Sequence, residues 1–421
     1  MQKFTRWIIL FFISLAMFGN YYIYDSISPM ADLLVKQLNF SDSDIGLLQA
    51  IYSAPNIIMV LIGGIIIDKI GTRRATFIFS FLCFLGAVIT AMSSSLTFMA
   101  TGRLVFGLGA ESMIVAVTTA IAKWFKGKEL SFAFGLNLTI ARLGSFAALN
   151  SPSWAKEYFT NWQYPLLISV VAGIICVAGA IIYFLIEQKV ESNSENISKA
   201  ETEKFVLADL FKFGLSFWLI VGLCVTFYSA IFPFQTFAVK YFQDAHGVSR
   251  EVGGFLSSIL TLFAMIATPL FGLLADKVGK RSLFMIFGSM ILIPAFLIMT
   301  FTKLSLFIPM AMMGVSFSLI PAIMWPSVAY LVEEKRLGTA YGMMTLVQNI
   351  GLTFFNLLIG NLNDMNFASN ANPNGYIPGL IIFATLGVFG ILFSFLLRQR
   401  ELSNKGHGLE QTTPNKIKMS S

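Results

Sequence analysis

The sequence has little charge, little histidine and little cysteine, and each shortage excludes a class of protein. Charged residues make up 12% of the 421 residues, whereas ordinary soluble domains carry roughly 25%, so the chain cannot cover a surface that faces water. The three cysteines have no pair spacing, which argues against a disulfide framework or a zinc site. Both histidines, His246 and His407, lie outside the apolar stretches. We therefore expect no metal, no cofactor and no enzymatic activity.

Long apolar stretches fill most of the chain, since 56% of its residues are hydrophobic. A helix needs roughly 20 apolar residues to cross a bilayer, and twelve stretches of this kind can be placed along the sequence. The sequence thus predicts an all-α membrane protein with twelve transmembrane helices. The predicted spans are residues 7–29, 44–67, 75–93, 97–122, 131–150, 164–186, 214–240, 252–275, 282–302, 305–332, 338–361 and 377–397.

The distribution of lysine and arginine predicts the orientation of these spans. If both termini are cytoplasmic, the inner segments hold 22 of the 29 basic residues and the outer loops hold five, as the positive-inside rule requires. The five outer residues are Lys36, Lys156, Lys240, Arg250 and Lys303. The net charge of +7 then reflects topology and contact with membrane lipids, and we expect no nucleic-acid partner.

Polar segments divide the chain into four parts. Residues 1–186 and 214–399 are two predicted six-helix halves, residues 187–213 are a predicted cytoplasmic linker, and residues 400–421 are a predicted disordered cytoplasmic tail. The first apolar stretch lacks a small-residue cleavage site, and eleven further spans follow it. We therefore interpret it as a retained helix and not as a signal peptide.

A short loop motif occurs in both halves and indicates an internal duplication. Its residues are Gly64, Asp68, Gly71, Arg73 and Arg74 in the first copy and Gly272, Asp276, Gly279, Lys280 and Arg281 in the second. In each copy we expect the first glycine to admit a neighbouring helix, the aspartate to pair across the interface between the halves, and the last glycine to form a tight turn. Such a contact can act as a conformational latch in an alternating-access carrier.

Three charged residues stand out inside predicted spans, where a charge is costly unless it is paired or faces water. Glu111 and Arg142 are near the midpoints of the fourth and fifth spans. These spans are antiparallel neighbours, so both side chains can face one central cavity and bind a small zwitterion. The alternative is a structural salt bridge between the two helices. Arg103 lies nearer the outer end, and we expect a structural or gating role for it.

Polar and aromatic residues add further candidates for the substrate site. Tyr22 and Asp25 are near the outer end of the first span, where an interfacial tyrosine belt is an equally good interpretation. Phe234 follows Pro233 in the seventh span, and Trp325 lies near two prolines of the tenth span. We expect these prolines to break their helices and the aromatic residues to line a cavity.

The two loop motifs and the run Arg103-x3-Gly107-x-Gly109 resemble signature elements of the major facilitator superfamily. Within it, the chain resembles the major facilitator superfamily domain-containing protein 1 group, whose animal members are lysosomal dipeptide uniporters. The resemblance rests on Gly102–Ser112, Lys123–Leu130, Ala141–Ser145, Phe232–Phe234, Phe271–Lys277, Trp325–Pro326 and Leu337–Gly342. It implies that Glu111 binds the amino end of a dipeptide and that Arg142 binds the carboxylate.

The chain also departs from that group. Few residues precede the first span, which leaves no room for the sorting tail of the animal proteins, and Ala110 stands where the group is expected to have glycine. These departures predict a bacterial member in the plasma (inner) membrane.

The sequence therefore predicts a carrier of small zwitterionic peptides, in particular dipeptides, that acts as a monomer by alternating access. One alternative is a proton-coupled carrier of organic anions or another metabolite, with Glu111 as the coupling group. Another is a membrane receptor that does not transport. The need for an accessory subunit is left open.

Overall fold

The structure is a computed structural model that describes residues 2–125, 129–191, 213–333, 336–404 and 406–411. It is built almost entirely from helices, as predicted from the apolar stretches. In chain order these are α1 (Gln2–Asp25), α2 (Ala31–Leu38), α3 (Asp42–Met92), α4 (Leu96–Phe125), α5 (Leu130–Leu149), α6 (Ser151–Trp154), α7 (Gln163–Glu191), α8 (Leu215–His246), α9 (Arg250–Val278), α10 (Arg281–Phe301), α11 (Phe307–Leu331), α12 (Leu337–Met365) and α13 (Ile377–Glu401).

Each of the twelve predicted spans corresponds to a long apolar helix or to part of one. The described residues contain eleven helices that are long and apolar enough to cross a membrane, because α3 holds both the second and the third predicted span. The backbone of α3 leaves helical geometry at Gly71, where φ is +81° and ψ is 158°. The chain therefore turns at Gly71, between the two spans.

The prolines of α8 and α11 do not break their helices, which corrects the prediction. Pro233 lies inside α8, and both Pro321 and Pro326 lie inside α11. Proline removes one backbone hydrogen bond, but a membrane helix tolerates this loss when neighbouring helices and side chains satisfy the freed carbonyl.

Packing divides the chain into two compact units that differ from the predicted halves. The first unit comprises Met1–Thr202, Phe232–Thr261 and Thr345–Gly379, and the second comprises Glu203–Ile231, Leu262–Met344 and Leu380–Ser421. The first unit thus includes the predicted outer ends of α8, α9 and α12. The halves are defined by the sequence repeat and stay a prediction.

The predicted linker is only partly described. Helix α7 continues to Glu191, so the first five residues of the segment 187–213 are helical, and residues 192–212 lie outside the described residues.

Helix contacts in the first unit bring the fourth and fifth spans to the same neighbour. Helix α1 packs against α4, α5 and α7, and α3 packs along α4. The α3–α4 contact depends on glycine, because a Cβ atom at Gly109 would lie 2.5 Å from the Phe79 carbonyl oxygen. Residues on α4 and α5 can therefore meet at the face of α1.

The beginning of the predicted disordered tail is ordered and packed. Leu409 is fully buried, and the Glu410 carboxylate accepts hydrogen bonds from the Ser282 backbone and from Arg398 (3.0 and 2.9 Å). Leu409 and the paired carboxylate of Glu410 hold this short segment in place. The polar composition of the tail does not predict these two contacts. Residues 412–421 of the predicted tail lie outside the described residues.

Candidate substrate site

Glu111 of α4 and Arg142 of α5 both face α1, and both side chains are half-buried. The Tyr21 hydroxyl on α1 interacts electrostatically with both of them. The Tyr52 hydroxyl of α3 donates a hydrogen bond to Glu111 Oε1 at 3.4 Å. The two opposite charges are therefore directed into the helix bundle, where polar groups meet them, and not toward lipid.

Asp25 extends this charged group along α1. Its side chain is 7% exposed, accepts a hydrogen bond from Ser145, and interacts electrostatically with Arg142 and Arg103. Ser145 follows Arg142 by three residues on α5, so both lie on the helix face that is turned to α1. Asp25 consequently lies near the arginine and joins Glu111 and Arg142 in the candidate site.

Arg103, the other arginine inside a predicted span, donates hydrogen bonds to several backbone carbonyl oxygens. It is 1% exposed and donates to the carbonyl oxygens of Leu48, Ile23 and Tyr24 at 3.3, 3.0 and 3.3 Å. It also donates to the Gln49 side chain. These bonds compensate for burial of the charge and tie α4 to α1 and α3.

Aromatic rings line the Glu111 side of the site. The Tyr52 ring lies 4.8 Å from Tyr24 and stacks on Phe106 at 5.1 Å, measured between centroids. Tyr24 also contacts Phe232 at 6.1 Å. Tyr52, Phe106 and Ser145 were not predicted from the sequence. A tyrosine within an otherwise apolar stretch of the second span was the available signal for Tyr52.

Comparison with known proteins identifies the family. The pattern of the Major Facilitator Superfamily matches residues 10–356 and 234–417. The lysosomal dipeptide transporter MFSD1 of Homo sapiens is 30% identical over 410 residues, which cover 94% of this chain and 86% of that protein. MFSD1 of Danio rerio is 32% identical over 375 residues, or 86% of this chain and 81% of that protein.

The chain belongs to the major facilitator superfamily.

Solved structures agree with this fold. The nucleoside transporter NupG superposes with a TM-score of 0.72 at 14% identity, covering 94% of this chain and 99% of its own. A bacterial homologue of the human lysosomal transporter Spinster gives a TM-score of 0.70 at 17% identity, covering 93% and 96%. The family match and the MFSD1 relatives show that the protein is a multi-pass membrane transporter of this superfamily and not an enzyme, as predicted, and its resemblance to the MFSD1 group is confirmed.

Two further residues predicted for the substrate site lie elsewhere in the transporter. Tyr22 is hydrogen-bonded to Ser151, and its ring lies 6.5 Å from that of Trp154. Tyr21 and Tyr24 are three positions apart and share the helix face toward Glu111, whereas Tyr22 points away from it. Phe234 is 2% exposed and packs on Phe242 of its own helix at 6.0 Å.

Trp325 belongs to the second unit. Its indole Nε1 donates to the Tyr228 hydroxyl at 2.9 Å, and its ring lies 6.0 Å from that of Tyr341. The side chain is half-buried. It thus forms an aromatic group within that unit.

Ion pairs within the first unit join the helix ends that the sequence predicts on the outer side of the membrane. Arg250 pairs with Asp32 (Nε–Oδ1, 2.9 Å), and Lys240 pairs with Asp42 at 3.1 Å. Burial raises the pKa of Asp42, and Lys240 partly offsets this effect. These pairs fix α2 and the start of α3 against α8 and α9.

Further contacts join the same part of the first unit. Asp364 of α12 accepts hydrogen bonds from the backbone amides of Asp42 and Ser43 at 2.9 and 2.8 Å. A Cβ atom at Gly46 would lie 2.3 Å from the Asn356 carbonyl oxygen. Two more outer cations are paired, Lys36 with Asp32 at 3.3 Å and Lys156 with Glu251 at 2.8 Å.

The glycines of the superfamily loop motif have two different environments. Gly71 and Gly279 adopt φ values of +81° and +67°, which suit the tight turn expected of them. Among the described residues, a Cβ atom at Gly64 or Gly272 would meet no atom within 4 Å, so the close helix approach expected at both is not seen there. It occurs one residue earlier, at Gly63, where a Cβ atom would lie 2.6 Å from Ser112 Oγ, because that position of α3 faces α4.

Proposed function

We propose that this protein moves zwitterionic dipeptides across the membrane by alternating access, with Glu111 binding the substrate ammonium group and Arg142 binding its carboxylate. The observation that supports this most strongly is that both of these opposite charges interact electrostatically with the Tyr21 hydroxyl on α1. The similarity to MFSD1, a lysosomal dipeptide transporter, supports the same substrate class.

The physical argument starts from the cost of charge within a membrane. An anion and a cation inside spans are each costly unless they find a partner. A dipeptide with free termini brings one cation and one anion, and it is neutral overall. The planar guanidinium group of Arg142 matches a carboxylate with two parallel hydrogen bonds, and the Glu111 carboxylate matches an ammonium group. Substrate binding therefore leaves the charge balance of the site unchanged.

The loop motifs are proposed to act as the conformational latch. Asp68 and Asp276 are exposed, and Asp276 is paired with Arg281 of its own loop at 2.8 Å. We propose that Asp276 exchanges this partner for one across the interface between the halves when the transporter changes state. Monomeric action and location in a bacterial plasma membrane stay predictions.

Uptake of a radiolabelled dipeptide into proteoliposomes tests the proposed site. Glu111→Gln and Arg142→Lys are each expected to reduce uptake at least tenfold, since each loses a charge-assisted or bidentate contact worth roughly 1.5–3 kcal/mol. Glu157→Gln and Arg336→Lys are matched controls, because Glu157 is exposed in the connection between α6 and α7 and the ion pair of Arg336 with Glu333 is long, at 3.9 Å.

Wild-type uptake by both site variants would overturn the proposal. Acidification of the lumen by substrate, if it followed an imposed pH gradient, would instead favour proton-coupled transport through Glu111. Competition by an organic anion without an amino group would point to that substrate class.

A further inference from the structure

Tyr52, whose hydroxyl donates a hydrogen bond to Glu111, is held in place by several contacts. It is 5% exposed, and its ring lies between those of Tyr24 and Phe106. The guanidinium carbon of Arg103 lies 5.4 Å from the centre of the ring. A cation above an aromatic face is attracted by its negative potential, so Arg103 fixes the ring in addition to tying the helices together.

The backbone of Tyr52 is fixed as well. A Cβ atom at Gly107 of α4 would lie 2.3 Å from the Tyr52 carbonyl oxygen, so α3 and α4 touch at a point where only glycine fits. The same carbonyl accepts a hydrogen bond from Asn56 Nδ2 at 3.2 Å. The hydroxyl of Tyr52 is therefore presented to Glu111 from a rigid support.

We propose that Tyr52 is a positioning residue for substrate, which holds the Glu111 carboxylate in the orientation that receives the ammonium group. The inference rests on the proposed function of Glu111. A carboxylate has two oxygens that can accept several hydrogen bonds. The Tyr52 bond to Oε1 directs that oxygen toward α3, and Oε2 is then the oxygen that takes the ammonium group. Arg103 and Gly107 act through Tyr52 and do not contact the substrate.

This arrangement accounts for residues that the transport site does not otherwise use. Arg103 and Gly107 belong to the run Arg103-x3-Gly107 that the sequence singles out, and both meet Tyr52, one at the ring and the other at the carbonyl. A freely rotating glutamate would lose side-chain entropy on binding substrate. Fixing the carboxylate in advance lowers this cost, so Tyr52 contributes mainly to affinity.

The test is Tyr52→Phe, which removes the hydroxyl and keeps the ring. We expect a rise in KM of about tenfold for a dipeptide with a free amino terminus, with Vmax changed less than about twofold, because one hydrogen bond to a charged group is lost. Tyr158→Phe is the matched control, since Tyr158 is exposed in the connection between α6 and α7. Thermal unfolding of each variant in detergent checks its folding.

A double-mutant cycle separates positioning from a merely structural role. Binding of the dipeptide, measured by its thermal stabilisation of the protein, should weaken with Tyr52→Phe in the wild-type background and not in the Glu111→Gln background. An N-acetylated dipeptide lacks the ammonium group, so its weak binding should be the same with and without the Tyr52 hydroxyl.

An unchanged KM in Tyr52→Phe, or an equal loss for both dipeptides and in both backgrounds, would overturn the inference. If that variant does not fold, Glu111→Asp makes the same test by withdrawing the carboxylate from the hydroxyl, and a normal KM there would overturn it. The outcomes also distinguish the two proposals. Full activity of both Glu111→Gln and Arg142→Lys rejects the proposed function, whereas a crippled Glu111→Gln with a normal Tyr52→Phe rejects the positioning role alone.

Discussion

The two copies of the loop motif share their turn and differ in what surrounds it. In the first copy, the Arg73 guanidinium lies over the Phe184 ring at 4.8 Å, and the Tyr183 hydroxyl donates to Thr72 at 3.2 Å. In the second copy, Arg281 is 2% exposed and pairs with Asp276. Duplication has thus preserved the glycine turn, whereas the basic residue that follows it has acquired different partners in each half.

The C-terminal segment explains the difference. Arg281 donates to the carbonyl oxygens of Leu409 and Gln411 at 3.3 and 3.2 Å, and its guanidinium group lies 4.4 Å from the Tyr330 ring centre. Helix α10 has no cap from its own N-cap residue, Lys280. The Glu410 carboxylate supplies one by accepting the Ser282 amide, and a negative charge is favourable at this end of a helix. The second loop is therefore braced by a segment remote in sequence.

Replacing Arg281 and Arg73 one at a time gives the most direct test of whether the two loops are supported differently. Arg281→Ala should lower the free energy of unfolding by about 3 kcal/mol, since it strips several hydrogen bonds from a buried guanidinium site. Arg73→Ala should cost less than about 1 kcal/mol, because Arg73 is only half-buried and its cation–π contact with Phe184 is worth less than the hydrogen bonds of a buried guanidinium group. Thermal unfolding midpoints in one detergent measure both, and equal shifts would show that the loops are supported alike.

Glu410→Gln should have an intermediate effect of about 1 kcal/mol, because the amide oxygen can still accept the Ser282 amide while the pairing with Arg398 is lost. Glu157→Gln serves as the control, at an exposed position. In combination with Arg281→Ala the two losses should be less than additive, since both residues fasten one segment. Full additivity would mean that the tail and Arg281 are independent.

The smallest effect is expected at the first glycine of each copy. Gly64→Ala and Gly272→Ala should raise stability by roughly 0.5 kcal/mol, because alanine favours the helix and its Cβ atom meets no neighbour in this state. Gly63→Ala is the control and should be destabilising, because the added Cβ atom would clash with the Ser112 side chain. If the proposed latch packs closely in another state, the two alanine variants transport more slowly despite their stability. Normal rates would remove these glycines from the latch.

The apolar spans and the two charged residues Glu111 and Arg142 could be predicted because each is visible in the local sequence. An apolar stretch long enough to cross a membrane is visible without any knowledge of its neighbours. Glu111 and Arg142 stand out in the same way, as isolated charges in apolar surroundings. Because α4 and α5 are antiparallel neighbours, the sequence also predicts that the two side chains can face one cavity.

The remaining contacts depend on rotation of one helix against another, which the sequence does not encode locally. Tyr22 and Tyr21 are adjacent, yet only Tyr21 faces Glu111. Gly63 and Gly64 are adjacent, yet only Gly63 touches α4. The role of Leu409 could not be predicted either, because a single leucine in a polar tail has no pattern. These features are set by tertiary packing.

The paired cations on the predicted outer side have a consequence for the membrane around the transporter. Lys36, Lys156, Lys240 and Arg250 each sit within contact distance of an aspartate or glutamate. An anionic headgroup that approaches these residues meets ion pairs, which are dipoles, and not isolated positive charges. The field of a dipole decreases faster with distance than that of a single charge. On the predicted topology, we therefore expect electrostatic attraction to acidic lipids mainly at the opposite leaflet, where the sequence places most of the basic residues.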